Sequence, residues 1–173
     1  MGDAQRRSPW TVQQRQLGQV DYAARTVRNL VPHLANPDLD GVLYNACLES
    51  FFINVRSLAE FLQKRGNKDK DIWIADILPT WECEPGELGV RLRYWWDLAS
   101  QQVAHFGLPR TEPTDEPITL QTYEQMRDDV LTVYRRFRKE LAEFLNELPV
   151  DDERSRMRTG SAFDPPKGDG YRL

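Results

Sequence analysis

The chain has 173 residues, with 23 Lys+Arg against 27 Asp+Glu and a formal net charge of −4. At that length one domain buries roughly two-thirds of its unfolded surface, and a composition of 40% apolar and 29% charged residues excludes wholesale disorder. No apolar run approaches the ~20 residues of a membrane helix, the start MGDAQRRSPW holds no apolar signal core, and the negative balance argues against a protein that coats nucleic acid non-specifically, though not against a local basic patch.

Four helical patterns stand out and no strand pattern does. Ser8-Pro9 reads as an N-cap followed by the proline that a first helical position tolerates. Trp10, Leu17, Val20, Ala24, Val27, Val31 and Leu34 then recur at helical spacing over residues 9–34, with Pro32 expected to stop the last turn. A second helix is expected between Asn36-Pro37 and Gly66. Its apolar face is very wide, with Leu43, Ala46, Cys47, Phe51, Ile53, Leu58, Phe61 and Leu62, which predicts a central position in a bundle. Its polar stripe is narrow, with Asn45, Glu49, Arg56, Glu60 and Gln63, and Asn54 falls by phase among the apolar residues.

The connecting region 67–86 holds the charge run NKDKD and a short helical pattern from Asp71 to Leu78, broken by Pro79 and Pro85-Gly86. A third long helix is expected over 87–106. Leu88, Leu92, Trp95, Trp96, Ala99, Val103 and Phe106 line one face, and Tyr94, Asp97, Gln101 and His105 lie opposite. After the loop TEPTDEP, Thr122 with Gln125 fits a capping box and Thr119 is the other candidate cap. Tyr123, Val130, Val133, Tyr134, Phe137, Leu141, Phe144, Leu145 and Leu148 then form the clearest stripe in the chain. Pro149 ends it, and the aperiodic residues that follow read as a flexible tail. The expectation is therefore an all-α domain over residues 8–149, an antiparallel bundle of four long helices plus one short helix, with a tail at 150–173.

Phosphate-binding glycine loops, zinc patterns and the Glu-x-x-His pair of di-iron bundles are absent from the sequence, so no metal or cofactor is implied. Two cysteines, Cys47 and Cys83, read as reduced thiols of a cytoplasmic protein. His105 is a candidate general base, because an imidazole titrates near pH ~6.5. The stripe Asn45, Glu49, Arg56 and Glu60 sets one arginine between two acids, which suits a polar network, a phosphate contact or an ordinary surface ion-pair row. Asn54 needs a hydrogen-bond partner if buried, and a neighbouring helix is the expected source. Arg28 and His33 form an Arg-x4-His spacing that puts the two side chains about a turn and a half apart.

The segment Asn45–Leu62 (NACLESFFINVRSLAEFL), followed later by Ala104-His105-Phe106, resembles an uncharacterised bacterial helical family. Its members pair an Asn-x3-Glu-Ser-Phe…Arg-x-Leu-x-x-Phe helix with a later Ala-His-Leu helix end. That family is similar to the HEPN superfamily, small helical bundles that include ribonucleases of abortive-infection and toxin–antitoxin systems. The resemblance implies a bundle that dimerises, with RNA as the substrate of its catalytic members. It also implies a catalytic Arg-x4-6-His window whose His falls on His105. Leu98, Ala99 and Ser100 occupy the positions where the window's Arg would stand, Arg93 lies further upstream, and Asn54 replaces a residue that is often His.

Three functional expectations rank in this order. The first is a HEPN-like bundle acting by binding, as a homodimer or the partner of another protein, without the standard catalytic pair. The second is an interaction module presenting Trp73, Trp81 or Trp95. The third is a metal-independent ribonuclease with His105 as base and Arg56 or Arg93 stabilising phosphorane-like charge. No membrane contact is expected.

Overall fold

The computed structural model describes residues 9–63, 74–104 and 118–147. Among them it is all-α, with five helices and no strand: α1 Pro9–Leu34, α2 Gly41–Gln63, α3 Ile74–Ile77, α4 Gly86–Ala104 and α5 Leu120–Glu147. No described helix is long and apolar enough to cross a membrane. The expected tail at 150–173, together with Gly66, Trp73, His105, Phe106 and Leu148, lies outside the described residues.

The long helices start and stop close to where their side chains demand. Pro32 sits inside the last turn of α1, which continues to Leu34. Asn36-Pro37 does not open α2. Asn36 Oδ1 accepts from the amide of Asp38 at 3.0 Å, which makes a turn, and Asp40 is the cap, accepting from the amides of Val42 at 2.9 Å and Leu43 at 3.4 Å. At α5 the cap is Thr119 rather than Thr122 with Gln125. The Thr122 amide donates to Thr119 Oγ1 at 3.4 Å, and the Thr119 amide donates back to Thr122 Oγ1 at 3.2 Å. Two unpaired helix-end donors are satisfied by this reciprocal pair.

α2 is the central element. It packs against α1, α4 and α5, and its inner face supplies Phe51, Val55, Leu58 and Leu62, all essentially inaccessible. Phe51 meets Tyr123 of α5 edge-on at 5.5 Å, and Phe61 meets Phe137 of α5 at 5.2 Å. Such edge-to-face pairs add about 0.5–1.5 kcal/mol to the area they bury.

The segment between α3 and α4 closes the C-terminal end of α2. Gln63 Nε2 donates to the carbonyl of Glu84 at 2.6 Å, and the amide of Glu84 donates to Gln63 Oε1 at 2.8 Å. Trp81 Nε1 donates to the carbonyl of Leu62 at 3.1 Å, and the Cys83 thiol donates to that of Gln63 at 3.5 Å. Carbonyls that a helix end leaves without intrahelical partners are thus satisfied. From α5, Arg136 lies over the Trp81 ring at 4.0 Å and pairs with Glu84 at 2.6 Å. Gly89 completes the join. A Cβ at this position would run into the Glu84 carbonyl oxygen and the Gln63 amide, so only glycine lets α4 approach this closely.

Candidate functional site

The paired tryptophans of α4 organise charged groups on two of its sides. Toward α5, Trp95 is buried and its indole N–H donates to Asp129 Oδ2 at 2.8 Å. The same carboxylate receives Arg91 through Nε at 2.7 Å and Nη2 at 3.0 Å, and Gln125 Nε2 at 2.9 Å. Asp129 is only 4% exposed. Burial alone pushes a carboxyl up in pKa. The bonds from Arg91, Trp95 and Gln125, with the Arg91 charge, outweigh that push and hold it below the usual carboxylate range. Every donor converges on one carboxylate, so this is a closed join between α4 and α5.

Toward α2 the arrangement is open. Arg56 lies over the Trp96 ring, its guanidinium carbon 5.9 Å from the centroid. Trp96 Nε1 donates to Glu60 Oε2 at 3.4 Å. The Nε of Arg56 is buried and has no hydrogen-bond partner among the described residues. Arg56 and Glu60 are half-buried, and Asn45 and Glu49 are exposed. At 100° per residue these four share one flank of α2. Beside them on the outer surface stand Val42, 76% exposed, and Ile53, 47% exposed, with Leu43 also exposed. Leu43 and Ile53 were expected in the core. They are outside because the apolar arc of α2 is wider than its neighbours can cover, and Ile53 points away from Phe51 and Leu58 by helical phase. Val90 and Tyr94 are the exposed apolar residues of α4.

The other candidates fall as follows. Arg93 is exposed on α4. Asn54 is buried, but its amide donates within its own helix, to the Ser50 carbonyl at 2.6 Å, and not to a neighbouring helix. A short polar side chain reaching back one turn needs no partner from outside. Trp95 is buried and Trp81 half-buried, which removes both from an exposed tryptophan patch. His105 and Trp73 lie outside the described residues. Arg28 and His33 are both exposed, about 140° apart around α1. Asp129 is absent from the candidates that the sequence offers, although it sits three residues after Met126 and four before Val133, on the stripe that α5 buries. A lone acid on an apolar stripe was the available signal.

The fold and this outer face define a helical-bundle protein of the all-α class with a mixed polar and apolar seam along its central helix. No protein-family model matches the chain, and neither a curated protein nor a solved structure matches it.

Proposed function

We propose that the protein is a HEPN-like helical-bundle module that acts by binding, and that the outer face of α2 is its contact surface, with a second copy of the chain as its first partner. The observation that carries this reading is the exposure of Val42, Leu43 and Ile53 on the most central helix of the bundle. Large apolar side chains grouped on one surface mark interaction sites more often than singly scattered ones do.

The charge order along the same flank supports self-pairing. Glu49 and Arg56 lie two turns apart, about 10 Å by helical rise, with Ile53 between them. A two-fold axis beside Ile53 would set Glu49 opposite Arg56 of the partner subunit, twice, and Asn45 opposite Glu60 of the partner subunit. A two-fold interface uses one patch twice and must be complementary to itself, and this flank meets that condition. The loss of the Arg-x4-6-His window at Leu98, Ala99 and Ser100 favours binding over catalysis. The resemblance would place such a module in phage defence or a toxin–antitoxin pair.

The test is molar mass by light scattering over a concentration series. A dimer is expected, and Ile53→Lys is expected to make it monomeric without lowering helicity. Glu49→Arg or Arg56→Glu alone should weaken association, and the two together should restore it, because the exchange keeps every reciprocal pair. A chain that stays monomeric at the highest concentration sinks the self-pairing.

A further inference from the structure

The end of the bundle where α1 turns into α2 holds a cleft of about 510 Å³, open between that turn and the start of α5. Leu34, Pro37, Leu39 and Leu120 form its apolar walls, and Gly41 adds a stretch with no side chain. Asn36, Tyr44 and Asn45 supply its polar groups. Among the described residues no charged side chain lines it. The helix starts that flank it are already engaged. Asp40 takes the amides of Val42 and Leu43 at the start of α2, and Thr119 takes that of Thr122 at the start of α5.

The polar groups that remain are mainly donors. Tyr44 is half-buried and hydrogen-bonded to the buried phenol of Tyr123, whose pKa is raised by burial and by that bond. A bond that holds a phenol protonated is one that the phenol donates. Tyr44 is thus the acceptor, and its own hydroxyl hydrogen has no acceptor among the described residues. Asn36 uses its carbonyl oxygen for the Asp38 amide at 3.0 Å, which leaves its two N–H donors. Tyr123 meets Phe51 and Phe52 edge-on at 5.5 and 5.9 Å, so the floor beneath Tyr44 is anchored in the core. Unmet donors call for an acceptor. An anion would leave water here with no cation opposite it, and a cation would find no carboxylate in the lining, so either charge is costly to bring in. A neutral carbonyl oxygen carries no such cost. The walls match an apolar body, and the volume falls in the range of about 300–1,000 Å³ that small-molecule pockets occupy.

We infer that this cleft binds a small uncharged molecule made of an apolar body and a carbonyl group, with the Tyr44 hydroxyl donating to the carbonyl oxygen and the body lying between the α1–α2 turn and Leu120. The site does not use Glu49, Ile53 or Arg56, so it stands whether or not the outer face of α2 pairs two copies. Asn45 borders both surfaces and is therefore left unchanged in the test.

The experiment is an NMR titration of the isotope-labelled full chain with four one-ring probes: benzamide, toluene, benzoate and benzylammonium. Benzamide should shift the backbone amides of residues 34–44 and of Leu120, with a Kd of about 1 mM for a fragment of this size. Toluene lacks the acceptor and should bind at the same amides about five-fold more weakly, the usual worth of one hydrogen bond. The two ions should bind roughly ten-fold more weakly or worse. Gly41→Leu should abolish the shifts, because a Cβ at this position meets open space and the rest of the side chain then occupies the cleft. Its Tm should be unchanged or raised, since leucine is the better helix former. Tyr44→Phe should bring benzamide down to the level of toluene and leave toluene where it was, with circular dichroism confirming that the helices are intact. Benzamide shifts that are absent from these amides, or that survive Gly41→Leu, overturn the inference. Equal binding of benzoate or benzylammonium overturns it too. Toluene matching benzamide, together with indifference to Tyr44→Phe, overturns it as well and leaves an unselective apolar gap.

Discussion

Trp95 and Trp96 are neighbours in sequence and lead opposite lives. Trp95 turns toward α5 and donates to Asp129, a buried carboxylate that three side chains saturate. Trp96 turns toward α2, beneath the guanidinium of Arg56 and within reach of Glu60, where the buried Nε of Arg56 has no hydrogen-bond partner among the described residues. Both sites hold a charge against an indole. What separates them is satisfaction. A charge whose bonding capacity is filled from within its own fold holds helices together; the Arg56 Nε is shut away from any partner among the described residues, so what this half-buried guanidinium can still offer at the surface lies in its outer nitrogens.

The largest effect is expected where the satisfied side is broken. Asp129→Ala leaves Arg91 without its carboxylate and the buried Trp95 N–H without an acceptor. Removing one partner of a fully buried pair costs about 3–5 kcal/mol, and because the Arg91 side chain is 41% exposed solvent screens this pair and the low end, about 3 kcal/mol, applies. In a domain of this size each kcal/mol moves Tm by roughly 2–4 °C, so thermal unfolding should show a drop near 10 °C. The same carboxylate gives a pH dependence of definite sign. Its folded pKa is depressed, so the stability it contributes is present above the unfolded value of about 3.9 and is lost as pH falls through the lower folded value. Urea unfolding at stepped pH should show wild-type stability falling faster below about pH 4 than that of Asp129→Asn, and parallel curves would remove Asp129 from that role.

The join at the end of α2 is the next place to press. Gly89→Ala puts a Cβ against the Glu84 carbonyl, and backbone rather than a flexible side chain must give way. Overpacking of this kind costs about 1–3 kcal/mol, read as a shift in urea midpoint at constant m-value. Trp81→Phe is gentler. It keeps a ring near Arg136 and Phe137 but deletes the donor to the Leu62 carbonyl, so a loss of about 1 kcal/mol is expected from the bond alone. Calorimetry on the two variants should rank them in that order.

How much of this could be read from the chain follows the same line between periodic and convergent features. The four long helices were legible because a stripe repeated every 3.6 residues leaves many marks, as from Tyr123 to Leu141. The start of α2 was misread because Asn36-Pro37 and Asp40 both look like openings, and only the bonds to Val42 and Leu43 decide between them. The outward turn of Ile53 was hidden because hydrophobicity marks a residue as apolar, not which part of a wide arc neighbours will cover. The stripe Asn45, Glu49, Arg56 and Glu60 was visible as one flank, but its meeting with Trp96 belongs to the packing of α2 on α4. Asp129 was missed because its partners come from two helices, and nothing local to Asp129 announces Arg91 or Trp95.

The smallest effect on stability is expected on the unsatisfied side, and there the comparison becomes sharpest. Arg56→Ala removes one ring contact at the rim of the bundle, worth about 0.5–1 kcal/mol at a partly exposed position, and relieves a buried Nε that has no partner among the described residues. The two changes oppose each other, so Tm should move by no more than a few degrees. Association should respond far more strongly, because the pairing proposed for the outer face of α2 uses Arg56 twice per dimer. Asp129→Ala supplies the counterpart, losing stability while any association that survives under folding conditions keeps its strength. If Arg56→Ala instead unfolded the protein as severely as Asp129→Ala, the guanidinium over Trp96 would be a structural clamp like the carboxylate beside Trp95. Satisfaction would then not be what divides the two sides of α4.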